Sequence, residues 1–427
     1  MLPKFRPSVL RCFSVGRKAF ALLLSSLLVA CAPEAGPVEM AVLEWDPQKG
    51  VFELTTATIH TLDDVTALRG EAATLIGDAE IVIGPRVKLA RTARELREAV
   101  LDDEGGAVEA QFVEQDGVLY PSDFHSLNLA TTYYNFERAR AYALARGMPP
   151  ELLRGVPVYY FPEVRMQGIR GPLADNAGWF ALLQSFLLFP IDEVREIPLA
   201  MNLGVIAHEY GHGLFNALVH RGSALPDYQA RWCPDGICRD VRGVRMLGIV
   251  EEGFADAWAI GATGNLRFIH HSLPSEGDKR DLEPFDATRH CYTQAALEQE
   301  IRDTSRFSST DRENYWGPRQ YQIGTVIAGA LYRAGKSPET DMDRVMEALL
   351  ASYGARGEGS LAEVLASDAT GSTFGTFASI ARAVIGATDH APTRRALCAA
   401  WMDRLAIPAS ELGGMCDDAP SNGECLP

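Results

Sequence analysis

The feature that most constrains this chain is the run His208-Glu209-Tyr210-Gly211-His212, set in an apolar stretch that begins at Leu199. Residues four apart on an α-helix share a face, so a helix over 199–219 turns both imidazoles the same way. A buried histidine pair among Met201, Leu203, Val205 and Ile206 is costly without a partner. Two imidazoles at this spacing can reach one tetrahedral zinc ion. Glu209 then stands beside the metal, where its carboxylate can accept a proton from a water that the metal acidifies. With nine histidines in 427 residues, chance alone would produce such a run on the order of one percent of the time.

A hydrolytic zinc site has three protein ligands and one open position. A histidine six residues after His212 would supply the third, but that position is Leu218. Forty residues beyond His212 lies Glu251-Glu252-Gly253-Phe254-Ala255-Asp256-Ala257-Trp258. Glu252 and Asp256 are four apart, on one face of a helix expected over 245–261. Glu252 can bind the metal while Asp256 accepts the free N–H of a ligand histidine. Glu251 is the alternative ligand, although no acid follows it at the same spacing.

With these residues assembled, the chain resembles the gluzincin metallopeptidases, and within them the thermolysin and fungalysin groups. The resemblance rests on HEYGHG at 208–213 followed by EGFADAW at 252–258. Asp175-Asn176-Ala177-Gly178-Trp179 is similar to the Asn-Ala edge strand that holds substrate in those enzymes. The stretch 323–332, from Ile323-Gly324-Thr325-Val326 to Leu331-Tyr332, is similar to a helix that follows the third ligand in fungalysins. The resemblance covers about 120–335. It implies an α+β, zincin-like fold with a twisted sheet over the HExxH helix and a helical C-terminal lobe. It further implies Zn2+ at His208, His212 and Glu252, with Glu209 as general base and Asp256 orienting His208. Asn176 and Ala177 would bind the backbone of a peptide or protein substrate, whose peptide bond is hydrolysed. No GxMEN-type run is present to capture an amino terminus, so an endopeptidase is expected rather than an aminopeptidase.

The chain also departs from the family. The segment between His212 and Glu252 is longer than in thermolysin and carries Cys233 and Cys238. The late histidine that stabilises the oxyanion is not found. Tyr321 occupies the corresponding place, and a tyrosine hydroxyl can donate the same hydrogen bond. His290 is the other candidate. The missing histidine motivates a second reading: a surface lipoprotein of zincin fold that binds or scaffolds without turnover.

The remainder bounds location and organisation. Lys4, Arg6, Arg11, Arg17 and Lys18 precede an uncharged apolar run at 19–30, which is short for a membrane span but fits a secretory signal. It ends in Leu28-Val29-Ala30-Cys31, which resembles the bacterial lipoprotein cleavage box, in which the cysteine becomes the lipid-modified first residue. Ala32 after the cysteine, rather than Asp, points by the same resemblance to the outer membrane. A lipid at Cys31 anchors a domain without making it span the membrane. The other 35 basic residues face all 56 acidic ones, a net of −21, which excludes nucleic acid as a partner. The expected organisation is a signal peptide over 1–31, a small β-rich domain over 32–118, and a metallopeptidase domain over 119–427 with a helical lobe from about 262. Helices are expected over 92–101, 126–146, 322–334 and 342–351, and strands over 80–85, 156–161 and 179–189. Beyond Cys31 six cysteines remain, an even count that suggests disulfides in an exported chain. Local closure would join Cys233 to Cys238 and Cys416 to Cys425, leaving Cys291 for Cys398. Arg239, Arg242 and Arg245 read as solvated surface.

Overall fold

A computed structural model describes residues 36–421, 423 and 425, except 85, 88, 89, 91, 167–170, 192–194, 224–240 and 367–374. The cleavage box at Cys31 and the Cys233–Cys238 segment lie outside the described residues. Strands concentrate before residue 190 and helices after it, a mixed α+β architecture.

The strands are β1 (Val38–Asp46), β2 (Val51–Ile59), β3 (Leu62–Asp64), β4 (Arg69–Gly70), β5 (Thr74–Gly77), β6 (Glu80–Ile83), β7 (Leu101–Asp103), β8 (Gly106–Ala107), β9 (Phe112–Gln115), β10 (Val118–Pro121), β11 (Pro157–Tyr160), β12 (Glu163–Met166), β13 (Ala177–Phe180) and β14 (Ser185–Leu188). They form three sheets: β2-β1-β10-β9, β13-β14-β11-β5-β4-β3 with β8 beside β5, and β12-β6-β7. Strands from both sides of the expected boundary near 118 share sheets. β11 runs parallel to β5, β12 runs parallel to β6, and β10 straddles the boundary itself. Residues Ala35–Pro427 form one compact unit.

β11 and β14 are buried on both faces, as apolar strands inside a sheet tend to be. Val158, Tyr160, Phe186 and Leu188 enter the main core, while the alternate residues Tyr159 and Leu187 enter a second core beneath β6, β7 and β12. The run 179–189 is therefore a hairpin and not the single strand expected from its apolarity. Its turn has no Gly or Pro to announce it. Gln184, at φ 50°, closes the turn through its own side chain, donating to Ala181 O at 2.7 Å and Asn216 Oδ1 at 3.0 Å.

Helix α1 covers Ala93–Val100 and α2 covers Phe124–Ala145. Asp123 caps α2 by accepting the Ser126 N–H at 2.7 Å. A short 3-10 turn, Leu199–Met201, then leads into α3 (Leu203–Leu218), capped by Asn202 on Gly204 N–H. From α2, Thr132 and Asn135 donate to Ala200 O and Met201 O, which fixes where α3 starts. The helices that follow are α4 (Val241–Thr263), α5 (Pro274–Arg280), α6 (Ala287–His290), α7 (Gln294–Thr304), α8 (Ser309–Gly335), α9 (Met342–Gly354), α10 (Leu361–Ala366), α11 (Phe377–Ile385) and α12 (Ala391–Leu405). The expected helix at 322–334 is only the second half of α8, which starts at a Ser308 cap and continues through Pro318. Helices α4 and α8 touch backbone to backbone. A Cβ on Gly253 would lie 2.6 Å from Gly324 O.

Two disulfides are present, Cys291–Cys425 and Cys398–Cys416, with Cα separations of 5.5 and 5.4 Å that suit the bond. Both differ from the pairings suggested by proximity along the chain. Cys398 faces the core from α12 and meets Cys416 there, both fully buried, so core packing and not chain distance selects the partner. Among the described residues no helix is long and apolar enough to cross a membrane.

Candidate metal centre

Helix α3 crosses beneath β13 and β14 and lies against α4. Its two inner glycines allow both approaches. A Cβ on Gly211 would sit 3.0 Å from Ala255 Cα of α4, and one on Gly213 would sit 3.2 Å from the Trp179 ring of β13. The helix is thus pressed between sheet and helix, with His208, Glu209 and His212 along its cleft-facing side.

His208 Nε2 and His212 Nε2 are 3.2 Å apart. Glu252 Oε2, from α4, is 3.4 Å from the first and 3.7 Å from the second. Among the described residues, these three form the group whose ligand atoms, all within 4.8 Å of one another, could hold a metal ion. Glu252 Oε2 is buried and takes no hydrogen bond, an arrangement that costs free energy unless a cation answers it. The donor set of two imidazoles and a carboxylate suits zinc, although other divalent transition metals accept it too.

Asp256, one helical turn beyond Glu252 on α4, is 1% exposed, and its Oδ1 lies 3.0 Å from His208 Nδ1. A proton on Nδ1 then bonds Asp256 and leaves the Nε2 lone pair turned toward His212 and Glu252. Arg280, at the end of α5, is buried beside the same carboxylate. Its Nε donates to Asp256 Oδ2 at 3.2 Å and its Nη2 pairs with Oδ1. Nη2 is also 3.0 Å from His208 Nδ1, and the guanidinium carbon lies 5.0 Å from the centre of the Tyr321 ring.

These contacts set the charges. Burial works against a charged His212, but the Glu252 carboxylate outweighs it and lifts the ring to about 9. Burial and the Arg280 charge oppose protonation of His208, yet Asp256, Glu252 and Glu209 prevail and raise it. Burial would raise Glu252, but His212 and His208 hold it well below the usual carboxylate range. Asp256 is likewise lowered, mainly by Arg280 against burial. Neighbouring Glu251 differs: burial dominates and pushes it up to about 7.

Glu209 reaches across to the sheet. Its Oε2 accepts the Trp179 N–H at 2.9 Å, and its Oε1 lies 4.0 Å from His208 Nε2. Among the described residues β13 is the end strand of its sheet, so its outer side has no strand partner. Phe189 N–H donates to Asn176 O at 3.0 Å, which turns Asn176 and Gly178 toward β14 and Ala177 and Trp179 toward the cleft. The Asn176 side chain accepts the Ala177 N–H at 2.9 Å. The cleft between β13 and the helices has a volume of about 860 Å³.

The structure brings His208, Glu209, His212, Glu252, Asp256, Asn176, Ala177 and Tyr321 to this one cleft. Tyr321 comes from α8, and the negative charge of Glu252, with burial, keeps its hydroxyl protonated and so a donor. His290 is not brought here. Its Nε2 faces Asp281 O at 2.9 Å and its Nδ1 accepts the Asp286 N–H at 2.9 Å, so both ring nitrogens serve the backbone around α6. Glu251 sits outside the ligand group, with His220 Nε2 at 3.9 Å. The residue that sequence reasoning missed is Arg280. Nothing in Pro274–Arg280 marks it, since Lys279-Arg280 reads as an ordinary solvated helix end. Of the three arginines expected at the solvated surface, Arg245 is instead buried, against the Trp316 ring, while Arg239 and the Arg242 side chain lie outside the described residues.

No protein-family model matches the chain, and no curated protein sequence matches it.

Proposed function

We propose that this chain is a zinc-dependent peptidase of gluzincin type, an endopeptidase, exported and anchored to the outer membrane by a lipid on Cys31. The observation that carries the reading is the meeting of His208 Nε2, His212 Nε2 and Glu252 Oε2 within 3.7 Å, beside the Glu209 carboxylate and β13, the end strand of its sheet among the described residues. A zinc ion held by the three ligands would supply Lewis acidity, polarising a carbonyl and acidifying water. The residues of the chain do the rest. The outward carbonyl of Ala177 accepts an N–H of an extended peptide laid along β13, with the Asn176 side chain bracing that turn of backbone through the Ala177 N–H. Glu209, held by Trp179 N–H, takes a proton from the attacking water and returns it to the departing amine as the C–N bond breaks. Tyr321 donates its hydroxyl hydrogen to the oxygen on which charge develops. Asp256 and Arg280 hold His208 in the tautomer and angle that the ligand group needs. The anchor and location follow from the cleavage box; the disulfides and the lack of a crossing helix among the described residues are compatible with them.

The test compares the native protein with Glu209→Gln on a peptide library, with zinc measured in each. Both should hold one zinc per chain, and the variant should lose roughly a thousandfold in turnover. Equal cleavage by the two proteins would overturn the catalytic assignment. Stoichiometric zinc with no Glu209-dependent cleavage would favour the binding or scaffold reading instead. Glu252→Ala should lose the metal and Glu251→Ala should retain it.

A further inference from the structure

Glu251 lines the cleft, one residue before Glu252, yet is absent from the ligand group. Its side chain is 27% exposed. Among the described residues no lysine or arginine nitrogen comes within ion-pair distance and no hydrogen bond reaches its carboxylate; its nearest basic atom is His220 Nε2 at 3.9 Å, too far to donate. Burial holds His220 down to about 4, so at neutral pH that ring carries no charge to answer Glu251. Three other acids at the cleft face basic groups, and Glu209 accepts the Trp179 N–H. Glu252 and Asp256 face the histidines and Arg280, and Glu276 pairs with Lys279 at 2.7 Å. Arg280 lies against His208, and Glu251 lies on the other side of the ligand group, toward His212 and His220.

A half-buried carboxyl group whose charge burial opposes, with no lysine or arginine beside it among the described residues, is stabilised in its charged form by a cation that arrives with a ligand, and the low dielectric of a cleft strengthens the attraction. We propose that Glu251 is the subsite for a cationic group of the substrate: a lysine or arginine side chain, or the α-amine of the peptide. This rests on the peptidase reading above and specifies its substrate class.

The test reads binding without turnover. Zinc-loaded Glu209→Gln protein is titrated calorimetrically with matched peptides of one library sequence. They carry lysine or norleucine at each of four central positions in turn, each with a free or an acetylated amino terminus. One cationic form should bind about tenfold tighter than its neutral counterpart, the effect of a partly desolvated ion pair. Adding Glu251→Gln should bring that ratio toward one. The lysine arm and the acetylation arm separate a side chain from an amino terminus. Affinities equal within about twofold, including no measurable binding by any peptide, would overturn the proposal. So would a preference that survives Glu251→Gln, or a loss of zinc from that variant matching Glu252→Ala, since Glu251 would then belong to the metal. The peptidase reading fails separately, on the absence of Glu209-dependent cleavage by the native protein.

Discussion

Replacing Asp256 by alanine should be among the most damaging single changes in the chain. Its carboxylate is 1% exposed, touches His208 Nδ1 at 3.0 Å, and is paired with Arg280, itself 5% exposed. Removing it leaves a guanidinium buried without its counter-ion, which costs about 3–5 kcal/mol. With an unfolding entropy of about 2.1 cal/mol/K per residue over roughly 390 residues, this corresponds to a fall in Tm of about 4–6 °C. Arg280→Leu combined with Asp256→Ala removes both charges, so the double variant should recover part of the loss, with a coupling of about 2 kcal/mol or more. The same pair of proteins separates two roles of Asp256. Stability should recover in the double variant, whereas zinc affinity should not, because His208 still lacks the acceptor that orients its ring. Calorimetric melting and a zinc chelator competition give both numbers. A Tm for Asp256→Ala within 1 °C of the native value, or zinc affinity restored together with stability, would refute the reasoning.

Two further outcomes follow from the packing. Gly253→Ala places a Cβ 2.6 Å from Gly324 O, which should force α4 from α8 at a cost of about 1–3 kcal/mol and displace the adjacent Glu252. Melting and zinc content should fall together, and a variant that keeps both would show that the helices have slack. For His220, burial lowers the ring from 6.5 to about 4. The unfolded chain therefore binds the proton first as the pH falls. Stability complete above pH 6.5 is lost progressively down to pH 4, by at most roughly 3 kcal/mol. His220→Phe should flatten that part of the stability profile relative to the native protein, and an unchanged acid slope would count against the assignment.

Much of the ligand group was legible because it rests on helical periodicity. His208 and His212 share a face whenever 199–219 is helical, and Glu252 and Asp256 share one whenever 245–261 is. Those are local properties, and both helices are present within a few residues of the expected ends. Elements with strong boundary chemistry were legible as well, such as the strand Glu80–Ile83 and the helix that Asp123 caps. The hairpin within 179–189 was not, because its turn is made by a glutamine that bonds a residue thirty-two positions away. The first half of α8 was hidden by Pro318, which ordinarily argues against a helix interior.

The sequence by itself determined the chemistry of the ligands and their spacing within each helix. Only the tertiary structure decided that α3 and α4 present those faces to each other, with the glutamate oxygen 3.4 and 3.7 Å from the two imidazoles. It also decided the disulfide partners, the commitment of His290 to backbone, the arrival of Arg280 from α5 at Asp256, and the placement of Glu251 near His220 with no lysine or arginine paired to it among the described residues. The physical reason is the same in each case. Periodicity is a property of neighbours along the chain, whereas burial, charge pairing and the approach of one helix to another depend on residues far apart in sequence, which only packing brings together.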